Sequence, residues 1–137
     1  MTFHSTFNPP ENIELYDLET TLCWFYDGIF WVKTKPNKEH MIRHAKEQAE
    51  ILKKNCLEND TQQYPIICDV RDGKPLKKEV RDYYSSPESA IHTKQFAFIV
   101  HSAVSKVIAN FFINQRKLQI PIKMFTDIAL AHEWCKK

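Results

Sequence analysis

Three short stretches at the ends of predicted strands carry polar groups that could form a catalytic or ligand-binding site: Asp69-Val70-Arg71-Asp72, His101-Ser102 and Thr126-Asp127. In a parallel sheet, the carboxyl ends of the strands meet the N-termini of the following helices at one edge, where ligands commonly bind. The three stretches would therefore gather carboxylates, a guanidinium, an imidazole and two hydroxyls. The same positions also require Ser, Thr, Asp or Asn as helix caps, and capping is the interpretation that we favour.

The His101-Ser102 pair is the candidate for nucleophilic catalysis, but its position argues against that role. Neighbouring residues at the end of a strand point their side chains apart, whereas a nucleophile needs a base within hydrogen-bond distance. The strained Gly-x-Ser-x-Gly turn of hydrolases is also absent. We therefore expect a strand that turns into a capped helix, and a protein without catalytic residues.

His40 and His44 are spaced so that they could bind a metal from one face of a helix. Their stretch, Glu39-His40-Met41-Ile42-Arg43-His44, lacks the His-Glu-x-x-His arrangement and places an arginine beside them. We favour two solvent-exposed histidines opposite the apolar stripe of the helix, and predict no metal site.

The cysteines and glycines argue against cofactors. The four cysteines, Cys23, Cys56, Cys68 and Cys135, lack the close pairs of structural zinc sites, so we predict buried, reduced thiols. The two glycines of the chain form no phosphate-binding motif. No cofactor is predicted.

Basic residues cluster where the second helix is predicted to start: Arg71, Lys74, Lys77, Lys78 and Arg81. Positive side chains at a helix N-terminus oppose the helix macrodipole, so an acidic protein partner would explain them. Three acidic residues are interleaved with them: Asp72, Glu79 and Asp82. An ordinary solvated helix face is therefore the competing interpretation.

A β-hairpin is the clearest local structure, in the stretch LCWFYDGIFWVKT. Asp27-Gly28 between two β-rich runs predicts a two-residue loop, which pairs Tyr26 with Ile29, Phe25 with Phe30, Trp24 with Trp31, and Cys23 with Val32. Because successive pairs point to opposite faces, both faces carry large apolar groups. The hairpin should be covered by the chain's own helices, by a second copy in a homodimer, or by a partner; Trp24 and Trp31 could also line an apolar ligand pocket.

Strands and helices alternate along the rest of the chain. Short apolar runs predict strands over 13–18, 64–70, 95–100 and 121–125. Helical spacing predicts four helices. The first has Asn37 as its N-cap, the second starts at Pro75, the third follows Ser102, and the fourth is capped by Thr126 or Asp127. The third helix carries an apolar stripe of Val104, Val107, Ile108, Phe111 and Phe112. This order predicts right-handed crossovers. The fold is therefore a single α/β domain over 13–137, after a polar leader over 1–12, with a mixed sheet (N-terminal hairpin plus parallel strands) flanked by about four helices.

Charge and hydropathy exclude several classes of protein. Lys and Arg number 19 against 17 Asp and Glu in 137 residues, a formal net charge of +2, without the clustered basic face of a nucleic-acid-binding protein. No stretch approaches the roughly 18 apolar residues of a membrane span. The N-terminus, MTFHSTFNPPENIE, lacks the basic and apolar regions of a signal peptide. A cytoplasmic protein is predicted.

Three stretches resemble a family of short, uncharacterised bacterial domains with the STAS fold: PIICDVRDGKPLKKEVRDYYSS, VHSAVSKVIANFF and PIKMFTDIALAHEW. The STAS fold is that of the sporulation anti-sigma-factor antagonists and of the cytoplasmic domains of sulfate transporters. The resemblance covers about residues 13–136. It implies a mixed sheet with flanking helices and a non-enzymatic role, usually the binding of a protein partner.

The resemblance breaks at the regulatory serine. Antagonists with this fold are switched by phosphorylation of a Ser at the start of the helix after the strand that here ends in Asp69. The matching stretch, DVRDGKPLKKEVRDYY, contains no Ser or Thr, and Lys77 and Lys78 lie near the expected position. Ser85 and Ser86 lie too far along the helix. A phosphorylation switch of that kind is therefore not expected.

Three functions remain open. The first is a protein-interaction or regulatory module that binds a protein partner through the basic helix over 75–85 and the adjoining loop over 69–74. The second is a carrier or sensor of a small apolar or lipid-like ligand, indicated by the aromatic hairpin around Trp24 and Trp31. The third, least favoured, is an enzyme at the strand ends around Asp69, Asp72, His101 and Ser102.

Overall fold

The computed structural model describes residues 7–114 and 119–137. The strands are β1 Tyr16–Asp17, β2 Thr21–Tyr26, β3 Ile29–Thr34, β4 Tyr64–Asp69, β5 Thr93–Ile99 and β6 Ile122–Phe125. The helices are α1 Ile42–Glu58, α2 Lys78–Tyr84, α3 Ala103–Ile113 and α4 Ile128–Cys135, with a 3-10 helix at Pro87–Ala90. The strands form one six-stranded sheet in chain order, antiparallel from β1 to β3 and parallel from β3 to β6. The predicted mixed α/β fold is confirmed.

The hairpin of β2 and β3 has the predicted register, from Cys23 opposite Val32 to Tyr26 opposite Ile29. Asp27 and Gly28 have φ angles of 54° and 72°, and positive φ at both central residues is the requirement of the tight turn that joins twisted strands. The Asp27 carboxylate accepts hydrogen bonds from Lys136 and from His132, each at 2.8 Å. These contacts hold the pKa of Asp27 below its ordinary value and tie the hairpin turn to α4.

Strand order explains why three helices share one face of the sheet. From β3 to β6 each crossover advances to the next strand in the same direction, and right-handed crossovers then all pass over the same side. Leu52 of α1, Tyr84 of α2 and Ile108 of α3 accordingly pack in one core with Cys68 of β4 and Phe98 of β5. We call this side the three-helix face.

The opposite face is covered by α4 and by Phe7. The sheet is about 24 Å wide, whereas an eight-residue helix is about 12 Å long, so α4 cannot cover it alone. Phe7 packs against Trp24 and Trp31, with ring centroids 5.6 and 5.5 Å away, although it lies in the stretch interpreted above as a polar leader. Trp24 is 1% exposed and Trp31 is 7% exposed. Both faces of the hairpin are thus covered by the chain itself, and a homodimer stays a prediction.

The first helix begins later than predicted. Asn37 has a φ of 60°, a left-handed conformation that asparagine adopts more readily than most residues. It therefore forms a turn and is not the N-cap. The cap is Met41, whose backbone N–H donates to Nδ1 of His44 at 2.8 Å. The predicted helix start at Asn37 is wrong.

Two other helices differ in detail. The second starts at Lys78 and not at Pro75, because the preceding Lys77 is extended, with ψ of 161°. In α3, Val104 and Val107 are exposed, so the predicted stripe is wrong by part of a turn. The residues of α3 that face the core are Ser105, Ile108, Ala109 and Phe112. Ser102 caps α3 and Asp127 caps α4, as predicted.

No helix within residues 7–114 and 119–137 is long and apolar enough to cross a lipid bilayer.

Candidate functional site

The polar residues at the end of β4 form an internal ion pair. Arg71 Nε donates to Asp69 Oδ1 at 2.9 Å, and Arg71 Nη2 donates to Asp69 Oδ2 at 2.8 Å. The backbone N–H of Arg71 donates to the same carboxylate at 3.0 Å. Their side chains are 9% and 7% exposed, so this bidentate pair is buried and fixes the chain as it leaves β4. Asp72 is exposed.

The residues at the end of β5 form a helix cap. Ser102 Oγ accepts a hydrogen bond from the backbone N–H of Ser105 at 3.2 Å, and Ser105 Oγ accepts one from the N–H of Ser102 at 2.9 Å. His101 is exposed. Among the residues that the structure describes, Asp69, Ser102 and Asp127 make no hydrogen bond with one another. The strand ends share an edge without forming a polar cluster.

A cavity of about 70 Å³ opens beside these strand ends, on the three-helix face. We call it the strand-end cavity. Its apolar wall is formed by Val32, Cys68, Val70, Leu76, Phe96, Phe98, Ile108 and Phe112. Gly73 also lines it, and an added Cβ there would come within 3.3 Å of Val70 O and 3.4 Å of Ile108 Cδ1. A side chain at this position would therefore push Val70 or Ile108 by a few tenths of an ångström, so the glycine lets the loop between β4 and α2 lie close to α3 without such a shift.

A chain of hydrogen bonds forms the polar wall of the cavity. Thr20 Oγ1 lies 2.8 Å from His40 Nδ1, and Tyr84 Oη lies 2.8 Å from His40 Nε2. Burial lowers the pKa of His40 to about 4, with a smaller contribution from nearby His44, so the imidazole is neutral near pH 7. Burial likewise raises the pKa of the Tyr84 hydroxyl, which remains protonated. This wall is polar but uncharged.

His44 is also placed differently from the prediction. His40 precedes α1, and His44 is 5% exposed, so the interpretation as two solvent-exposed histidines is wrong. His44 Nδ1 accepts from Met41, which leaves Nε2 to donate to Glu19 Oε1 at 2.8 Å. Both rings are thus held by hydrogen bonds. No group of three or more metal-ligating side chains occurs in the described part of the chain.

Lysines surround the mouth of the cavity. Lys35 pairs with Asp17 and also donates to the carbonyl of Leu18 at 2.6 Å. Lys38 and Lys74 line the cavity and are exposed, and neither makes an ion pair with any described residue. The cavity lining contains three lysines and no Asp or Glu.

The remaining members of the predicted basic cluster lie on or beside α2. Lys77 pairs with Glu39 at 3.2 Å, and Lys78 pairs with Asp82 at 2.9 Å on the exposed side of the helix. Arg81 is exposed, whereas Val80 is fully buried. The helix therefore turns its cations outward and its apolar residues towards the sheet.

Two further cavities adjoin the core. One of about 50 Å³ lies on the three-helix face towards the start of β4 and β5, and it shares Tyr84, Phe112, Phe96 and Gln48 with the strand-end cavity. The other, of about 170 Å³, lies on the opposite face between Phe7, Trp24, Trp31 and His132. Trp24 and Trp31 therefore do not line the strand-end cavity.

Sequence reasoning missed most of the cavity. It identified Lys74 and the loop after Asp69. It did not identify Thr20, Lys38 or Tyr84, and it considered His40 only as a metal ligand and not as part of a cavity wall. The proline-containing stretch before α1, over 35–41, was the available signal. A non-helical segment beside a strand end can present its side chains to that end of the sheet.

Comparison with solved structures identifies the class of this protein. An uncharacterised protein of the DUF3478 family from Shewanella loihica PV-4, described as having a SpoIIAA-like fold, is similar to this chain with a TM-score of 0.58. The match covers 90% of this chain and 91% of that chain at 13% sequence identity. The protein is therefore an α/β domain of the SpoIIAA-like, or STAS-like, fold, which confirms the predicted resemblance. Residues 23–137 match the family described as a domain of unknown function, DUF7793, and the chain belongs to that family. No curated protein matches it.

Proposed function

We propose that this domain binds a small ligand with an apolar body in the strand-end cavity, as a carrier or sensor. The observation that carries the proposal is the cavity itself: an open, largely apolar space at the carboxyl ends of a parallel sheet, with a few polar groups on one side. Ligand sites of known proteins have this location and composition.

The polar wall supports binding without chemistry. Thr20 and Tyr84 each contact His40 through one hydroxyl, and a hydroxyl can both donate and accept. Each can therefore make a further hydrogen bond to a ligand. Burial lowers the pKa of His40 to about 4, so the ring is a poor general base near pH 7.

The thiol in the cavity supports the same conclusion. Cys68 lines the apolar wall, and burial raises the pKa of its thiol well above the ordinary value. A thiol acts as a nucleophile only as the thiolate, so Cys68 is unreactive near pH 7. The four cysteines are free and buried, which supports a reducing compartment such as the cytoplasm.

The size of the cavity limits the ligand. A volume of about 70 Å³ holds a few waters or the apolar end of a short-chain ligand, because a benzene-sized molecule needs about 150 Å³, and it excludes a nucleotide. Hexan-1-ol is a suitable first probe, because it has a short apolar body and one hydrogen-bonding group.

The test is titration of hexan-1-ol into the purified protein, followed by calorimetry and by backbone amide NMR shifts. We expect saturable binding, with shifts at 70–76 and around His40, and loss of binding in Leu76→Trp, which fills the cavity from a half-buried loop position. Leu57→Trp is the matched control, because Leu57 is 73% exposed at the end of α1 and does not line the cavity. An absence of saturable binding of hexan-1-ol and of every other six-carbon probe to the unaltered protein would overturn the proposal.

A second candidate is a protein-interaction module that uses the outer side of α2. The observation that favours it is the two-sided helix, with Tyr84 in the cavity wall and Lys77, Lys78 and Arg81 outside. Reversing these three charges to Glu should release a stoichiometric partner in native mass spectrometry of protein purified from its host. Reversing Lys53 and Lys54 on α1 should not. A partner that is retained by the α2 variant would contradict this candidate.

A further inference from the structure

We infer that the ligand is an anionic amphiphile whose negative head group lies between Lys38 and Lys74 at the mouth of the strand-end cavity. This inference rests on the proposed function and specifies the class of its ligand. The shared chemistry is a short apolar chain with a carboxylate or phosphate at one end.

Positive charge is concentrated in the lining of the strand-end cavity. The whole chain has nearly balanced charges, with 19 basic and 17 acidic residues. The lining of the cavity nevertheless contains Lys35, Lys38 and Lys74 and no acidic side chain. Like charges around one opening repel one another, and an anion placed among them relieves that repulsion.

Of the three lysines in the cavity lining, Lys35 is already neutralised by an acidic partner. Lys35 has Asp17 as its partner, and the neighbouring Lys77 has Glu39. Lys38 and Lys74 make no ion pair with any residue of 7–114 or 119–137. Two lysines therefore present positive charge to a ligand at the mouth.

Burial inside the cavity determines the orientation of the ligand. The interior of the cavity is formed by Phe98, Ile108 and Phe112, whose side chains are at most 7% exposed, and His40 in the wall is neutral. A charged group in that interior would lose its hydration without an opposite charge. The head group must therefore stay at the mouth while the apolar chain lies inside.

The experiment compares four probes with the same six-carbon chain: hexanoate, hexyl phosphate, hexan-1-ol and hexylamine. An exposed ion pair strengthens an interaction by up to about fivefold. With two lysines, we therefore expect hexanoate or hexyl phosphate to bind about two- to twenty-five-fold more tightly than hexan-1-ol at low salt. That advantage should shrink in about 0.5 M NaCl because salt screens exposed charges. Which of the two anions binds more tightly identifies the head group.

Paired variants identify the lysines. Lys38→Gln together with Lys74→Gln should reduce the affinity for the anions much more than the affinity for hexan-1-ol, so that the advantage of the anions is lost. Lys53→Gln together with Lys54→Gln, on the exposed side of α1, should leave both unchanged. If hexan-1-ol binds and the anions bind no more tightly, or if hexylamine binds best, the inference is overturned while the proposed function stands. If none of the four probes binds, the proposed function itself fails.

Discussion

Replacing Arg71 tests how strongly the buried pair with Asp69 stabilises the loop that lines the cavity. The Asp69 carboxylate is only 7% exposed, and it accepts two hydrogen bonds from the guanidinium of Arg71. Arg71→Met would keep much of the side-chain volume but leave that carboxylate buried without its cation. Breaking a buried ion pair from one side costs about 3–5 kcal/mol, a large part of the roughly 5–15 kcal/mol that stabilises a typical domain.

Urea unfolding followed by circular dichroism measures this loss. With a slope of about 2 kcal/mol per molar urea, the midpoint should fall by about 2 M. The double variant Asp69→Asn, Arg71→Met removes both charges, so it should be more stable than Arg71→Met alone.

The exposed pair on α2 is the control. Lys78→Met breaks the pair with Asp82, whose side chains are 80% and 63% exposed, and such pairs contribute about 0.5 kcal/mol or less. If Arg71→Met lowered the free energy of unfolding no more than Lys78→Met, with an unchanged urea slope, the reasoning from burial would be refuted.

Three other predictions test separate features of the fold. His40 has its pKa lowered to about 4 by burial, against about 6.5 in an unfolded chain. The unfolded state therefore binds more protons between these values, and about 3 kcal/mol of stability should be lost as the pH falls from 6.5 to 4. Urea unfolding at both pH values should show a smaller loss of stability in His40→Gln than in the unaltered protein. An equal loss in the two proteins would contradict the assignment of this loss to His40. Gly28→Ala should lower the free energy of unfolding by about 1 kcal/mol, because a φ of 72° is unfavourable for alanine. No atom lies within 4 Å of the added Cβ, so a steric clash does not contribute. An unchanged thermal midpoint would show that the turn does not require this φ. Ile108→Ala should lower the free energy of unfolding by about 2–5 kcal/mol, because Ile108 is buried. Val107→Ala should leave it almost unchanged, because Val107 is 61% exposed. Similar urea midpoints for the two variants would contradict the observed orientation of α3.

The hairpin, the alternation of strands and helices along the chain, and two helix caps could be predicted because local chemistry determines them. A two-residue Asp27-Gly28 loop permits one register, and Ser102 and Asp127 follow strands at positions where a helix needs an acceptor. The start of α1 could not be predicted in the same way. Asn37 is suited both to an N-cap and to a left-handed turn, and only the packing of the chain decides between them.

The cavity could not be predicted, because a void is a property of packed elements and not of any one of them. Its polar wall joins Thr20, His40 and Tyr84 from three separate parts of the chain. Phe7 was missed for a related reason: a single aromatic residue in a polar stretch has no periodicity to reveal it. The stripe of α3 was misassigned because Val104 and Val107 are apolar yet exposed, while Ser105 is buried as part of the cap.

The chain-order sheet also determines how the domain can be completed during synthesis. Each strand pairs with the strand made just before it, so the hairpin can form first and the sheet can grow from that edge with short loop closures. The contacts of α4 are the exception, because His132 and Lys136 return to Asp27 across 105 and 109 residues. Until the C-terminal helix has left the ribosome and docked, the face that carries Trp31 lacks this cover. Docking of α4 therefore completes the cover of this face, and a chain that stops before α4 would expose an aromatic surface prone to aggregation.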